Sequence, residues 1–157
     1  MKNANNKVLE FLKIAEEGLD DKLGCILFQF PPSFKYNEEN LNNILESLPP
    51  SNHHVVEFRN ASWWDREVIR ALRKHKLTFC NVSFPNLPED FYKTSETFYL
   101  RMHGVPELFK SSYSEDELKN IVKKIPTTVK ECFIYFNNTM FEAGFSNALT
   151  LKTLVAK

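Results

Sequence analysis

The segment ETFYLRMHG, residues 96–104, decides how the rest of the chain is read. Thr97, Phe98, Tyr99, Leu100 and Met102 give it the β-branched and aromatic character of a strand covered on both faces. Arg101 and His103 interrupt that pattern. Alternate residues of a strand share a face, so Tyr99, Arg101 and His103 stand together on one side. A buried strand that turns polar on one face at its carboxyl end suits a parallel α/β fold, in which ligands bind at that edge.

The flanking sequence repeats the arrangement. LGCILFQF (23–30) is an apolar run stopped by Pro31 and Pro32, which cannot continue a ladder. HHVVEFR (53–59), LTFCNVS (77–83) and ECFIYFNN (131–138) are further strands. Between them, helical spacing of apolar residues predicts helices over 4–18, 38–48, 64–75, 115–125 and 146–156. The helix at 115 opens with a capping box, Ser114 as N-cap and Glu117 three residues later. About five strands alternating with helices make βαβ units with parallel pairing and right-handed crossovers. A doubly wound sheet and part of a (β/α)8 barrel both fit that count.

Composition narrows the function classes. The chain has 157 residues, 43% of them hydrophobic and only four of them glycine, which is enough for one globular domain with a real core. Twenty basic and twenty acidic side chains balance, so the strong basic surplus of a dedicated nucleic-acid binder is absent. Cys25, Cys80 and Cys132 are odd in number and each sits in an apolar run, which reads as reduced thiols in a cytoplasmic protein. MKNANNKVLEF has no signal-peptide apolar segment, and no run reaches membrane-span length. No glycine-rich phosphate loop and no nucleophile elbow is present.

Applying the same parity to each strand groups Gln29 with Leu27, Glu57 with Arg59, Asn81 with Ser83, Arg101 with Tyr99 and His103, and Asn137 with Tyr135. The opposite faces keep Phe28, Phe58, Met102 and Phe136 for the helices. A common polar cluster at the strand ends is the expectation.

LFQFPPSF (27–34), VEFRNASWW (56–64), YLRMHG (99–104) and YFNN (135–138), in that order, resemble the signature blocks of the YecE-like family, domain of unknown function 72. The resemblance runs from about residue 7 to the end of the chain. It implies a TIM barrel of which this chain is a single domain, the C-terminal portion, entering just before the fourth strand; a full barrel needs about 250 residues. No activity is established for the family. A fold-level likeness to metal-dependent endonucleases suggests nucleic-acid processing by analogy alone. The chain departs from the family pattern at Asn60, where His is usual, and near Ser83, where Asp is common.

Read as chemistry, Arg59 and Arg101 can clamp a phosphate or carboxylate, and Gln29, Tyr99, Tyr135, Asn137 and Asn138 can line the same pocket. Glu57 is the general-base candidate and His103 the acid or base, which would make the protein a hydrolase or phosphate-ester-processing enzyme. The alternative is a non-catalytic domain in which these groups form a structural ion-pair network. No metal site is assigned: only Glu57 and His103 face the cluster, while His53 and His54 in a turn and His75 at a helix end read as surface residues, so no cofactor is expected and a divalent ion is left to longer relatives. Trp63 and Trp64 read as loop-packing residues. Unpaired sheet edges predict self-association, and the partner expected at the site is a small anion or nucleic acid, with no membrane.

Overall fold

The computed structural model describes residues 5–155. Its elements run α1 (Asn5–Leu19), β1 (Ile26–Phe30), α2 (Glu38–Ser47), β2 (His54–Phe58), α3 (Arg66–Lys74), β3 (Thr78–Ser83), β4 (Thr97–Met102), α4 (Glu115–Lys124), β5 (Glu131–Phe136) and α5 (Ala143–Val155). Every expected element is present, with ends shifted by a few residues. Residues 4 and 156, expected to be helical, lie outside the described residues. The last helix begins at Ala143, earlier than expected, and Gly144 N there donates to Asn138 O at 3.0 Å. The helix starts carry their caps: Asn37 accepts from Asn40 N, Asp65 from Glu67 N, and Ser114 and Glu117 form the reciprocal box.

The five strands are all parallel and ordered β1-β2-β3-β4-β5. A doubly wound sheet needs a reversal of strand order at a switch point, and none occurs, so that alternative is set aside. Sequential order with right-handed crossovers places the helices on one face of the sheet. The packing agrees. Val56, Phe58 and Phe79 pack with Leu41, Ile44, Val68 and Leu72 of α2 and α3, and Phe98, Leu100 and Met102 with Leu118 and Leu151 of α4 and α5. On the other face Val55, Cys80, Val82 and Tyr99 form a core with no helical residue in it.

That second face is buried by curvature. Strands lie about 4.8 Å apart, so in a flat sheet β1 and β5 would be some 19 Å from one another. Here a β-carbon built on Gly24, just before β1, would touch Phe133 of β5 at 3.6 Å, and His53 Nε2 reaches Glu131 Oε2 at 2.7 Å. The sheet therefore curls until its two ends meet through side chains at the amino-terminal end of the strands. It does not close: β1 and β5 each pair on one side only. Apolar exposure collects on the outer helices instead, at Phe11 and Ile14 of α1 and at Phe145 and Leu149 of α5.

Candidate functional site

Four rings hold the loops that follow β1 and β2. Phe30 stacks on Phe34 and on Phe58, Phe34 stacks on Trp63, and Trp63 lies on Phe58 with centroids 4.1 Å apart. Trp63 Nε1 donates to Phe34 O. Asn60 joins the same loops, donating to Pro32 O and accepting from Ser62 N. Trp63 is thus a fully buried loop anchor. This clamp fixes the ends of β1 and β2, and with them Gln29, Glu57 and Arg59.

Glu57 is completely buried. Arg59 Nε lies 2.6 Å from its Oε1 as a close ion pair without hydrogen-bond alignment, and Arg101 Nη1 donates to its Oε2 at 2.6 Å. Arg101 comes from β4, two strands away, so the contact depends on the curl of the sheet. The same guanidinium donates through Nη1 to Gln29 Oε1 at 3.2 Å and through Nε to Asn137 Oδ1 at 3.1 Å. Arg59 Nη2 also donates to Gln29 Oε1, and Phe84 lies under its guanidinium at 4.4 Å. Residues of β1, β2, β4 and β5 therefore converge at one rim.

His103 joins the cluster as a neutral ring. Arg59 Nη2 donates to its Nε2 at 3.3 Å, which makes Nε2 the unprotonated nitrogen and leaves the ring proton on Nδ1. Nδ1 is buried with no hydrogen-bond partner among the described residues. Burial, with Arg59 and Arg101 adding like charge, pushes the imidazole down to about 3. Although Nε2 lies 3.8 Å from Glu57 Oε1, the ring carries no charge to pair there near neutral pH. Gly104 makes the turn that follows: its φ is 89°, and a β-carbon would meet Glu107 O at 3.0 Å.

The remaining expectations divide. Tyr99 and Tyr135 face the same side with rings 5.2 Å apart; Tyr99 is buried one step below the rim and Tyr135 is exposed beside it. Asn81 and Ser83 do not join the cluster. Their register partners are Leu100 and Met102, so both belong to the helix-covered side, and the rim position of β3 is filled by Val82. Asn81 instead holds the chain at Tyr92, accepting from its N and donating to its O. Asn138 has the opposite parity to Asn137, and its amide donates to Ser111 O and to Asn147 Oδ1 in a buried network with Tyr113. His54 is buried as the first residue of β2, with Nδ1 against Pro49 O, and not a surface residue.

Parity alone did not identify three neighbours of the cluster. Cys80 is buried beside Glu57, and burial raises its thiol well above the ordinary range. Phe84 and Val82 complete the wall. Phe84 lies beyond the strand, where no periodicity gives its direction. Among the described residues no group of three or more His, Cys, Asp and Glu could hold a metal ion, and no helix is long and apolar enough to cross a membrane.

Fold and rim define an α/β protein with a curled parallel sheet whose strand ends carry two arginines on one buried glutamate. The chain belongs to the DUF72 family, whose model, described as a protein of unknown function, matches residues 1–157. The resemblance thus extends across the chain and not from residue 7 onward, and its restriction to a C-terminal portion is not borne out. The chain is similar to a DUF72 family protein from Thermotoga maritima MSB8, with 32% identity and a TM-score of 0.83 over 98% of this chain and 66% of that one. A DUF72 family protein from Enterococcus faecalis V583 shares the fold, with 19% identity, a TM-score of 0.82 and the same coverage. The chain spans just under two thirds of the length of these two relatives. No curated protein matches.

Proposed function

We propose that the strand-end cluster binds an anionic ligand, with Arg59 and Arg101 as the ligand-binding groups and Glu57 as the carboxylate that holds them in place. The observation that carries this is an imbalance of charge. Two guanidinium groups face one carboxylate, and His103 stays neutral, so the rim keeps one net positive charge. Arg59 Nη1 and Arg101 Nη2 have no hydrogen-bond partner among the described residues, while Gln29 and Tyr135 beside them are exposed. A phosphate or carboxylate oxygen would satisfy both donors and offset the surplus. Tyr135 and Asn137 would border it, with Tyr99 beneath.

Acid–base chemistry by Glu57 and His103 draws no support from this geometry, since both carboxylate oxygens are engaged by cations and the imidazole resists protonation. The proposal is therefore one of binding. The sequential parallel order and the curl support a partial (β/α) barrel as the parent architecture. The two unpaired edges and the exposed apolar residues of α1 and α5 support self-association with a second copy. Three cysteines without a disulfide support a reducing, cytoplasmic setting.

A thermal-shift screen against phosphorylated metabolites, carboxylates and oligonucleotides, with and without divalent ions, tests the reading. Stabilisation by anions that is lost in Arg101→Gln is the expected result. Hits that are unchanged in both Arg101→Gln and Glu57→Gln would overturn it and leave the cluster a structural ion-pair network.

A further inference from the structure

A second concentration of positive charge lies at the opposite end of the sheet. The turn before β2, the carboxyl end of α3 and the loop leading into β4 enclose a hollow of about 550 Å³ lined by Asn52, Arg73, Lys76, Lys93, Thr94, Ser95 and Glu96. The strand-end cluster is at the carboxyl ends of the strands, so the two places share no residue.

The three cations of this hollow are held without carboxylate partners. Arg73 Nη2 donates to Lys93 O at 3.1 Å. Lys93 Nζ donates to Thr128 O at 2.9 Å and to Thr128 Oγ1 at 3.0 Å. Lys76, two residues after the end of α3, sits at φ 56° and makes no side-chain hydrogen bond or ion pair among the described residues. The acidic residue of the hollow, Glu96, is paired with Lys130 at 2.9 Å. A helix carboxyl terminus carries roughly half a negative charge, which one cation offsets. Three cations exceed it in a chain whose total charge is zero.

The floor is polar and rigid. Thr94 is buried, accepting from Phe79 N and donating to Leu77 O, and Ser95 Oγ, Thr78 Oγ1 and Asn52 O form one hydrogen-bonded string. These bonds fix the backbone from which Lys93 projects and against which Arg73 is fastened. What remains unengaged is Lys76, the rest of the Arg73 fork and the Asn52 amide.

We propose that this hollow binds an oligophosphate group, a chain of two or three phosphates whose several negative charges are answered by the three cations. A single phosphate would leave much of the volume and at least one cation unused. A guanidinium fork, two ammonium groups and an amide suit a series of anionic oxygens better than a flat carboxylate.

Inorganic tripolyphosphate is the probe, titrated calorimetrically into the full chain carrying Arg101→Gln, so that the strand-end cluster does not contribute. Saturable binding is expected. It should weaken about tenfold or more in Arg73→Gln/Lys76→Gln, fade as salt is added, and survive in Arg70→Gln, a change on the same helix outside the hollow. A nucleoside triphosphate binding with the affinity of tripolyphosphate would show that the phosphate chain alone is recognised. Arg70, Arg73 and Lys76 are exposed, Arg101 is mostly buried, and a thermal melt checks that the Arg101→Gln background and each variant made in it fold. Absence of saturable binding to tripolyphosphate, or equal affinity with and without Arg73 and Lys76, would overturn the proposal.

Discussion

Arg101 on β4 donates to Glu57 on β2 at 2.6 Å, passing over the intervening strand β3. The rim position of β3 is Val82, a small apolar side chain that leaves the path clear. A bulky or charged residue there would separate the two, and with them the cluster.

Removing the carboxylate should be costly. Glu57→Gln leaves two guanidinium groups in a mostly buried place without their counter-charge, and breaking a buried pair by deleting one partner costs about 3–5 kcal/mol. Urea denaturation should show a loss of at least about 3 kcal/mol, while a loss within surface-substitution range, about 0.5 kcal/mol, would mean that the pairs contribute little.

The neutral His103 sets a pH dependence whose sign can be worked out. Its folded value, about 3, lies below the ordinary 6.5, so between these the unfolded chain binds a proton that the folded chain does not. The group leaves stability unaffected above pH 6.5 and lowers it as pH falls toward 3, with a slope of at most about 1.4 kcal/mol per pH unit. In NMR titration the His103 ring should show no inflection between pH 5 and 8. A titration centred near pH 6.5 would contradict the assignment.

A carboxylate at the other end of the sheet acts in a lower window. A hydrogen bond from His53 holds Glu131 below the usual carboxylate range, with Thr97 adding to it. A depressed folded pKa means stability present above the unfolded value and lost as pH drops through the folded one. Denaturation midpoints measured from pH 6 to pH 3 should fall less steeply in Glu131→Gln than in the parent chain. Parallel slopes would show that the His53 hydrogen bond does not hold the Glu131 carboxyl down in the folded chain.

The aromatic clamp should be among the most sensitive core sites. Trp63 is fully buried against Phe58, and Trp63→Ala should cost about 3–5 kcal/mol in chemical denaturation. Because it ties the loops after β1 and β2 together, the same change should loosen Gln29 and Arg59 and weaken anion binding.

Self-association is expected from the unpaired edges and from Phe11, Ile14, Phe145 and Leu149. Light scattering at micromolar concentration should give a mass above the 18.4 kDa of one chain, falling toward it in Phe145→Asp. A mass of one chain at every concentration would show that the curl alone stabilises the sheet.

Element type and order were legible in the sequence because proline stops and helical spacing mark them sharply, as at Pro31 after β1 and at the Ser114 cap. Parity placed Glu57, Arg59, Arg101, His103 and Asn137 on one face because apolar neighbours fix the phase of their strands. It failed in LTFCNVS, where Phe79, Cys80 and Val82 are apolar on both faces and no alternation sets the phase. Asn138 was misplaced because it is one residue out of step with Asn137 and so turns away from the rim, toward Ser111 and Asn147. Strand order and curvature are long-range properties. They decided between a doubly wound and a sequential sheet, and no local pattern encodes them.

The rim's surplus charge is tested most directly by calorimetric titration of inorganic phosphate into the chain carrying Arg73→Gln/Lys76→Gln, which removes the second basic hollow, with and without Arg101→Gln or Arg101→Lys. Saturable binding in the parent background, weakened about tenfold by Gln and only partly restored by Lys, which keeps the charge but lacks the fork, is the expected result. No saturable binding at millimolar phosphate, or equal binding in all three folded chains, would contradict an anion site at Arg59 and Arg101.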